Sequence, residues 1–369
     1  MNHGGKAKGF QAGAVQGVWR GEATDEPLAR TRLTRKGKLS HYPVQDRIGE
    51  LPPPFETIIV RPPDPMATKP HSADQFGAQR DFWWHRDFLD LMAARWRLAE
   101  ASSLADIGCG LCHWSRLLYP YLRAPARFVG VDREPRWVAE APEQFRRAFP
   151  NVSADLFAFV PGDAMAIPLP DNSCDAVTCQ TVLMHLARPL DALGEMFRIL
   201  RPGGLLICVE PNNLWNYLGF NSLTANESVE TIVRRFEFWL RYHRGKIAAG
   251  EGDHNIGDLL PGYFAQTGLT GITVHQSDRA AALFPPYHSP AQQALLQQEQ
   301  QWKESATGPW DREELGRHVL GGGGTGMLFE TVFAELIEKL QREQQATAAA
   351  SFHMAGGTVN YLVSGRKPR

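Results

Sequence analysis

The stretch LADIGCGLC, Leu104–Cys112, decides the fold, because it joins a short apolar run to a turn built on Gly108 and Gly110. An apolar run of this length that ends in a glycine turn and opens a helical pattern indicates a buried strand leading into a helix. Glycine in such a turn lets the backbone approach a ligand where a side chain would collide. We therefore expect a strand, a ligand-binding turn and a helix in succession.

The chain beyond this stretch repeats the same alternation. Strands are predicted at RFVGVD, LFAFVPGD, CDAVTCQ and LLICVE, and helices at WSRLLYPYL, PRWVAEAPEQFRRAF and PLDALGEMFRIL. Strands that alternate with helices form βαβ crossovers, which predicts an α/β fold with a parallel sheet buried on both faces. The segments ITVHQSD and TVNYLVSGRK predict two final strands.

Two acids follow the next strands at positions where a nucleotide would need them. Asp132 ends the second strand, where doubly wound folds place an acid that accepts hydrogen bonds from ribose hydroxyls. Asp163, in PGDA after the third strand, is able to accept from an exocyclic amine such as that of adenine. The three strand ends together predict a nucleotide-type cofactor.

The series LADIGCGLC, VGVD, PGDA, DAVTCQTVLMHL and RILRPGGLLICVEP resembles the consecutive motifs of class I S-adenosylmethionine-dependent methyltransferases of the small-molecule type. The resemblance covers roughly residues 81–210 and the last two strands. It implies a Rossmann-like, seven-stranded, mostly parallel doubly wound sheet whose last strand is antiparallel. It also implies S-adenosyl-L-methionine as the cofactor, across the carboxyl ends of the first strands.

The resemblance carries over a cofactor site at the ends of four strands. Its residues are Asp106, Gly108 and Gly110 on the methionine side, Asp132 and Arg133 at the ribose, Asp163 and Ala164 at the adenine, and Gln180 and Thr181 beside the methionine part or the transferring methyl group. Cys112 stands where the family usually has a third glycine.

Methyl transfer from a sulfonium is an in-line displacement, so a base is needed only when the acceptor carries a proton at neutral pH. The candidates for that role are His185, His254 and Glu210, which follow strands or open a helix near the carboxyl edge. Each has a structural alternative: His185 packs locally, Glu210 belongs to an asparagine-rich turn, and His254 precedes a helix cap. The predicted substrate contacts are Trp83, Asn212, Asn213 and Tyr287.

The domain organisation follows from changes in composition. Residues 1–75 are rich in glycine, proline and charge and predict an N-terminal arm; residues 76–278 form the core, including substrate-side helices over 212–250. Residues 279–357 predict a helical cap inserted before the last strand at 358–369. An insertion of this length suits a lid that sets substrate choice, and a cap also offers a surface for oligomerisation.

Cys109 and Cys112 form a CxxC pair, which elsewhere holds zinc or a redox disulfide. A structural zinc needs two further ligands, and Cys174 and Cys179 are separated by a strand of about 16 Å at ~3.3 Å per residue, so they cannot both reach one ion. We expect no metal here, and the thiols to be small buried hydrophobes. A regulatory thiol pair is the alternative.

The composition limits the classes of partner that the chain is expected to bind. Hydrophobic residues make up 43% of the 369 residues, charged residues 21%, and the net charge is −1, which is typical of a globular protein and not of a nucleic-acid binder. No window approaches the ~20 apolar residues of a membrane helix, so we expect a cytoplasmic protein with a small-molecule substrate, no nucleic acid and no membrane partner.

Two other functions share the same βαβ beginning. A nicotinamide-dependent oxidoreductase would also have a glycine turn after the first strand, but His113 stands where the dinucleotide fingerprint has its third glycine. A non-catalytic relative that only binds the cofactor would retain Asp132 and Asp163. Cofactor preference and turnover distinguish these alternatives from a methyltransferase.

Overall fold

Within residues 80, 82–304, 311–357 and 359–369, which the computed structural model describes, seven strands form one sheet in the order β3-β2-β1-β4-β5-β7-β6. The strands are β1 Ser103–Ile107, β2 Arg127–Asp132, β3 Phe157–Pro161, β4 Cys174–Gln180, β5 Leu200–Asn212, β6 Thr270–Gln276 and β7 Val359–Arg366. Strands β1 to β5 pair in parallel, and β7 runs antiparallel to both β5 and β6. The predicted fold is confirmed. The predicted arm of residues 1–75 lies outside the described residues.

The described helices connect the strands or extend the fold beyond them. They are α1 Arg86–Trp96, α2 His113–Leu118, α3 Pro135–Ala148, α4 Pro189–Ile199, α5 Leu214–Leu218, α6 Val229–Ala248, α7 Leu260–Thr267, α8 Pro290–Glu304, α9 Arg312–Gly321 and α10 Gly326–Ala348. No helix among the described residues is long and apolar enough to cross a membrane.

Local capping sets where several helices begin. The Thr325 side chain accepts a hydrogen bond from the Leu328 amide, so α10 starts at Gly326. The Asp311 side chain caps α9 in the same way through the Glu314 amide. Helix α9 follows a short polar stretch with little apolar periodicity, and the sequence did not predict it.

The sheet carries a core on each face. One face packs α4 and α7, with Met196 and Phe264 fully buried, and the other packs α1, α2 and α3, with Met92 and Phe145 fully buried. Every residue of β1 is buried. Burial on both faces explains why this strand reads as a continuous apolar run and why its end is fixed in position.

A third core joins the cap to a helix that the sequence assigns to the main domain. Phe238 and Trp239 of α6 pack with Leu315 of α9 and with Phe329 and Leu336 of α10. The helices α6 and α9 approach closely, since a Cβ on Gly245 would lie 1.8 Å from the carbonyl oxygen of His318. Helix α6 therefore shares its packing with the cap helices.

Candidate cofactor and acceptor site

The turn after β1 is held by backbone contacts that favour glycine. Gly108, Gly110 and Cys112 have φ angles of 69°, 48° and 61°, in the left-handed region. A Cβ on Gly108 would lie 2.4 Å from a methyl carbon of Val182, so the turn presses against the segment after β4. Cys112 adopts a conformation that glycine adopts more easily, which accounts for the glycine usual at this position.

Asp132 joins the ends of β1 and β2. Its carboxylate, 3% exposed, accepts hydrogen bonds from the Gly110 amide at 2.8 Å and the Glu134 amide at 2.9 Å. A carboxylate has about four acceptor positions, so two bonds leave capacity for ribose hydroxyls. Arg133, the next residue, is exposed.

The other two predicted acids differ in burial. Asp106 is 2% exposed, and burial, with the neighbouring Asp132 charge as a lesser cause, raises its pKa to about 7. Asp163 is half-buried and accepts a hydrogen bond from the Met165 amide at 2.8 Å, with Ala164 half-buried beside it. Both acids lie at strand ends on the carboxyl edge of the sheet, as predicted.

A cavity of about 240 Å³ opens at this edge. Its lining includes Arg80, Trp83, Trp84, His113, Arg116 and Gln180. The Nε2 of Gln180 is buried and has no hydrogen-bond partner among the described residues, so an amide donor faces a space that a ligand can fill. Thr181 follows with a φ of 54°, and its hydroxyl donates to the Gln180 carbonyl.

The segment before α1 forms one wall of that cavity. Trp84 packs on Trp114 with ring centroids 5.3 Å apart, and the Arg279 guanidinium lies 5.4 Å from the Phe82 ring. The structure thus brings Trp83, a predicted substrate contact, beside Gln180, a predicted cofactor contact. Arg80, which sequence reasoning missed, lies in the same wall; no motif marked it, because its position follows from how this segment crosses the sheet edge.

Glu210, a predicted catalytic residue, binds backbone. Its carboxylate is fully buried and accepts hydrogen bonds from the amides of Val182, Leu183 and Met184 at 2.8, 2.8 and 3.2 Å. Burial raises its pKa to about 7, while these amide bonds oppose the rise. Both oxygens are engaged by backbone, so this geometry makes Glu210 a positioning residue for the segment after β4.

The two asparagines after β5 tie that strand to the loop containing His254. The Asn212 amide donates to Asp258, its oxygen accepts from the Leu214 amide at 3.0 Å, and the Asn213 amide donates to the His254 carbonyl at 3.2 Å. The His185 and His254 ring centroids are 5.1 Å apart. The structure therefore brings four of the predicted residues together, namely Asn212, Asn213, His185 and His254. The Asn212 side chain makes its hydrogen bonds within this local structure.

Tyr287 lies away from these residues, in a small core of the cap. It is 7% exposed, packs with Leu283 and Phe352, and donates its hydroxyl hydrogen to the Phe352 carbonyl at 2.9 Å. The ring of this predicted substrate contact fills the small core, and its hydroxyl already has a partner.

The segment around β1 to β5 is similar to a known protein family. Residues 105–208 match the family model described as a methyltransferase domain, and the seven-stranded sheet with antiparallel β7 is the one that the resemblance implies. Residues 105–208 therefore form a methyltransferase domain, which confirms the predicted resemblance, and the enzyme class and cofactor predicted from it are those of such a domain.

Curated relatives share this part of the chain. The chain is 29% identical over 128 residues to a demethylmenaquinone methyltransferase of Listeria welshimeri, covering 34% of this chain and 50% of the relative. It is 31% identical over 126 residues to the enzyme of the same name from Lactiplantibacillus plantarum, covering 34% and 52%. The chain thus spans about half the length of these relatives.

Solved structures resemble the chain more distantly. A putative methyltransferase from Bacillus halodurans is 15% identical with a TM-score of 0.42, covering 77% of this chain and 99% of that one. Phosphoethanolamine N-methyltransferase 2 of Haemonchus contortus, in complex with S-adenosyl-L-methionine, is 17% identical with a TM-score of 0.39, covering 77% and 53%.

Proposed function

We propose that this protein is an S-adenosylmethionine-dependent methyltransferase that transfers a methyl group to oxygen, nitrogen or sulfur of a small molecule. The observation that carries the proposal is the buried Gln180 amide, which lacks a partner among the described residues and faces a cavity at the carboxyl edge. The curated relatives, named as enzymes that methylate demethylmenaquinone, support a small-molecule acceptor.

The residues present fit this cofactor. The turn carries no side chain at Gly108 or Gly110, whose φ angles of 69° and 48° favour glycine. Asp132 would hold the ribose, Asp163 the adenine and Gln180 the methionine part. The ionised form of Asp106 would balance the positive charge that the methionine part carries.

When bound, S-adenosylmethionine supplies a methyl group on a positively charged sulfur that leaves as a neutral thioether. The chain's part is to exclude water and to align the acceptor. Trp83 and Trp84 cover the cavity, and the Glu210 carboxylate fixes the segment after β4 by binding its amides. His185 or His254 would take a proton from an acceptor that carries one.

The proposal also includes the cellular compartment of the protein and its association with further copies of itself. All five cysteines are buried and unbridged, which suits a reducing compartment, and we place the protein in the cytoplasm on that ground. The cap helices provide a surface on which copies of the chain could associate.

Calorimetric titration tests the cofactor assignment against the nicotinamide alternative. We expect S-adenosylmethionine and S-adenosylhomocysteine to bind and NAD not to bind. Transfer of label from methyl-labelled S-adenosylmethionine to small acceptors then distinguishes an enzyme from a non-catalytic relative. Binding of NAD in preference would contradict the proposal, and so would the absence of binding by either S-adenosyl compound.

A further inference from the structure

A group of aromatic rings lies where α6, the loop before α7 and the segment after β4 meet. The His243 ring centroid lies 6.0 Å from that of His254, 5.8 Å from Tyr217 and 5.2 Å from Tyr242. The His185 ring packs edge-on against His254 at the outer side of the group. We call these five residues the histidine group.

His243 has unsatisfied polar atoms at the centre of this group. Its side chain is 3% exposed, and neither ring nitrogen has a hydrogen-bond partner among the described residues. The Nε2 of His254 is buried without a partner as well. A buried donor or acceptor left unpaired is unfavourable, so nitrogens in this state point to a ligand that pairs with them.

The group lies beside the segments that follow β4 and β5. A Cβ on Gly252 would lie 2.2 Å from the Met184 carbonyl oxygen, so the loop before α7 is pressed against the segment after β4. The Asn213 amide binds the His254 carbonyl and ties the same loop to the end of β5. Both strands end at the carboxyl edge, next to the residues assigned to the cofactor.

The charges beside the group pair with each other. The Lys246 ammonium lies 3.6 Å from a Glu251 oxygen and 3.9 Å from a Glu314 oxygen, and His318 Nε2 lies 3.3 Å from the same Glu251 oxygen. Burial, with Lys246 as a lesser cause, lowers the pKa of His243 to about 3. The His243 imidazole is therefore neutral at pH 7.

A neutral imidazole has one N–H donor and one acceptor nitrogen. An ammonium group offers only donors, and a carboxylate offers only acceptors, so either would leave one kind of imidazole nitrogen unpaired. A hydroxyl group offers both a donor and acceptors. The surrounding rings favour an acceptor whose remaining surface is aromatic.

We propose that His243 and His254 bind the hydroxyl group of an aromatic methyl acceptor, a phenol or catechol. This inference rests on the proposed function, and it names the substrate class. His243 is new to the site: no sequence motif marks it, since it lies inside α6 on a face that the cap covers.

Calorimetric titration of catechol and hydroquinone into the protein saturated with S-adenosylhomocysteine tests the inference. We expect the wild-type protein to bind at least one of them. His243→Phe keeps the ring and removes both nitrogens, and should weaken this binding about tenfold, the equivalent of one hydrogen bond. His254→Gln is the second variant, since it is less buried and serves if His243→Phe does not fold.

His353→Phe is the matched control, because His353 is exposed and lies outside the histidine group. It should leave catechol binding unchanged, and none of the three substitutions should change S-adenosylhomocysteine affinity more than about twofold, since that ligand touches other residues. Wild-type protein that binds S-adenosylhomocysteine but neither hydroxylated ring overturns the inference, as does unchanged binding in both histidine variants. Protein that fails to bind S-adenosylhomocysteine counts against the proposed function instead.

Discussion

The Nδ1 atom of His85 lies 2.6 Å from an Oδ atom of Asp278, and this contact joins the segment before α1 to the segment after β6. Strands β5 and β6 both run antiparallel to β7 and are therefore parallel to each other. Asp278, which follows β6, thus lies at the carboxyl edge of the sheet. The segment that carries Trp83 and Trp84 is thereby anchored across that edge. Trp83 and Trp84 line the cavity that Gln180 also lines.

Asp278→Asn should loosen this anchor without unfolding the protein. The side chains of His85 and Asp278 are 52% and 19% exposed, and such a pair stabilises by less than about 1 kcal/mol. We expect S-adenosylmethionine to dissociate up to about fivefold faster, measured by stopped-flow fluorescence of the tryptophans. Asp191→Asn, which breaks a surface pair with Arg188 on α4, is the control. Equal dissociation rates in wild type and Asp278→Asn would show that this contact does not restrain the segment.

Asp132→Ala should weaken S-adenosylmethionine binding by ~1.5–3 kcal/mol, the usual loss for hydrogen bonds to a charged group. Part of the loss comes from the Gly110 amide, which donates to this carboxylate. Asp132→Asn keeps an acceptor oxygen and should lose less. Calorimetry measures both, and unchanged affinity in the alanine variant would contradict the ribose assignment.

Asp106 should make cofactor affinity depend on pH. Its pKa is raised to about 7 in the folded, ligand-free protein, and its ionised form suits the positively charged cofactor. Affinity for S-adenosylmethionine should therefore rise from pH 6 to pH 8, by at most tenfold per pH unit. Asp106→Asn should remove this dependence, and a pH profile that is the same in both proteins would exclude Asp106 as its source.

The same group affects folding stability in the opposite direction. Between about pH 4 and pH 7 the native protein keeps a proton on Asp106 that the unfolded chain has lost, so the free energy of unfolding falls as pH rises. Glu210, with its pKa also raised to about 7, adds to this fall. Urea unfolding of the ligand-free protein should show a shallower fall in Asp106→Asn than in wild type.

Gly245→Ala should destabilise the packing of the cap. The added Cβ would lie 1.8 Å from the His318 carbonyl oxygen, and backbone cannot move aside as a side chain can, so we expect a loss of about 1–3 kcal/mol. Gly262→Ala in α7 is the matched control, because a Cβ there meets nothing within 4 Å and should stabilise by ~0.5–1 kcal/mol. Thermal unfolding of both variants checks the contrast; equal melting temperatures would mean that α6 and α9 separate easily.

The positions of the predicted cofactor residues at the sheet edge could be derived from the sequence, while their roles in binding stay predictions. Asp106, Asp132 and Gln180 each lie at the end of a strand that the sequence pattern predicts clearly. The carboxyl ends of neighbouring parallel strands meet at one edge of the sheet. The positions of the proposed acceptor residues could not be derived in this way. Tyr287 is an aromatic residue of the kind that often lines pockets, but it lies in the cap core. His243 lies inside a helix, where the sequence predicts only packing, yet both of its ring nitrogens lack a partner among the described residues.

The sequence by itself determined the strands, the glycine turn and the order of acids along the sheet edge, because these depend on backbone conformation and on periodicity over a few residues. Only the tertiary structure decided that Glu210 binds the amides after β4, that His85 meets Asp278, and that α6 packs with the cap. Each of these contacts joins residues distant in the chain. Local sequence patterns carry no information about such partners, since the fold as a whole sets the distance between them.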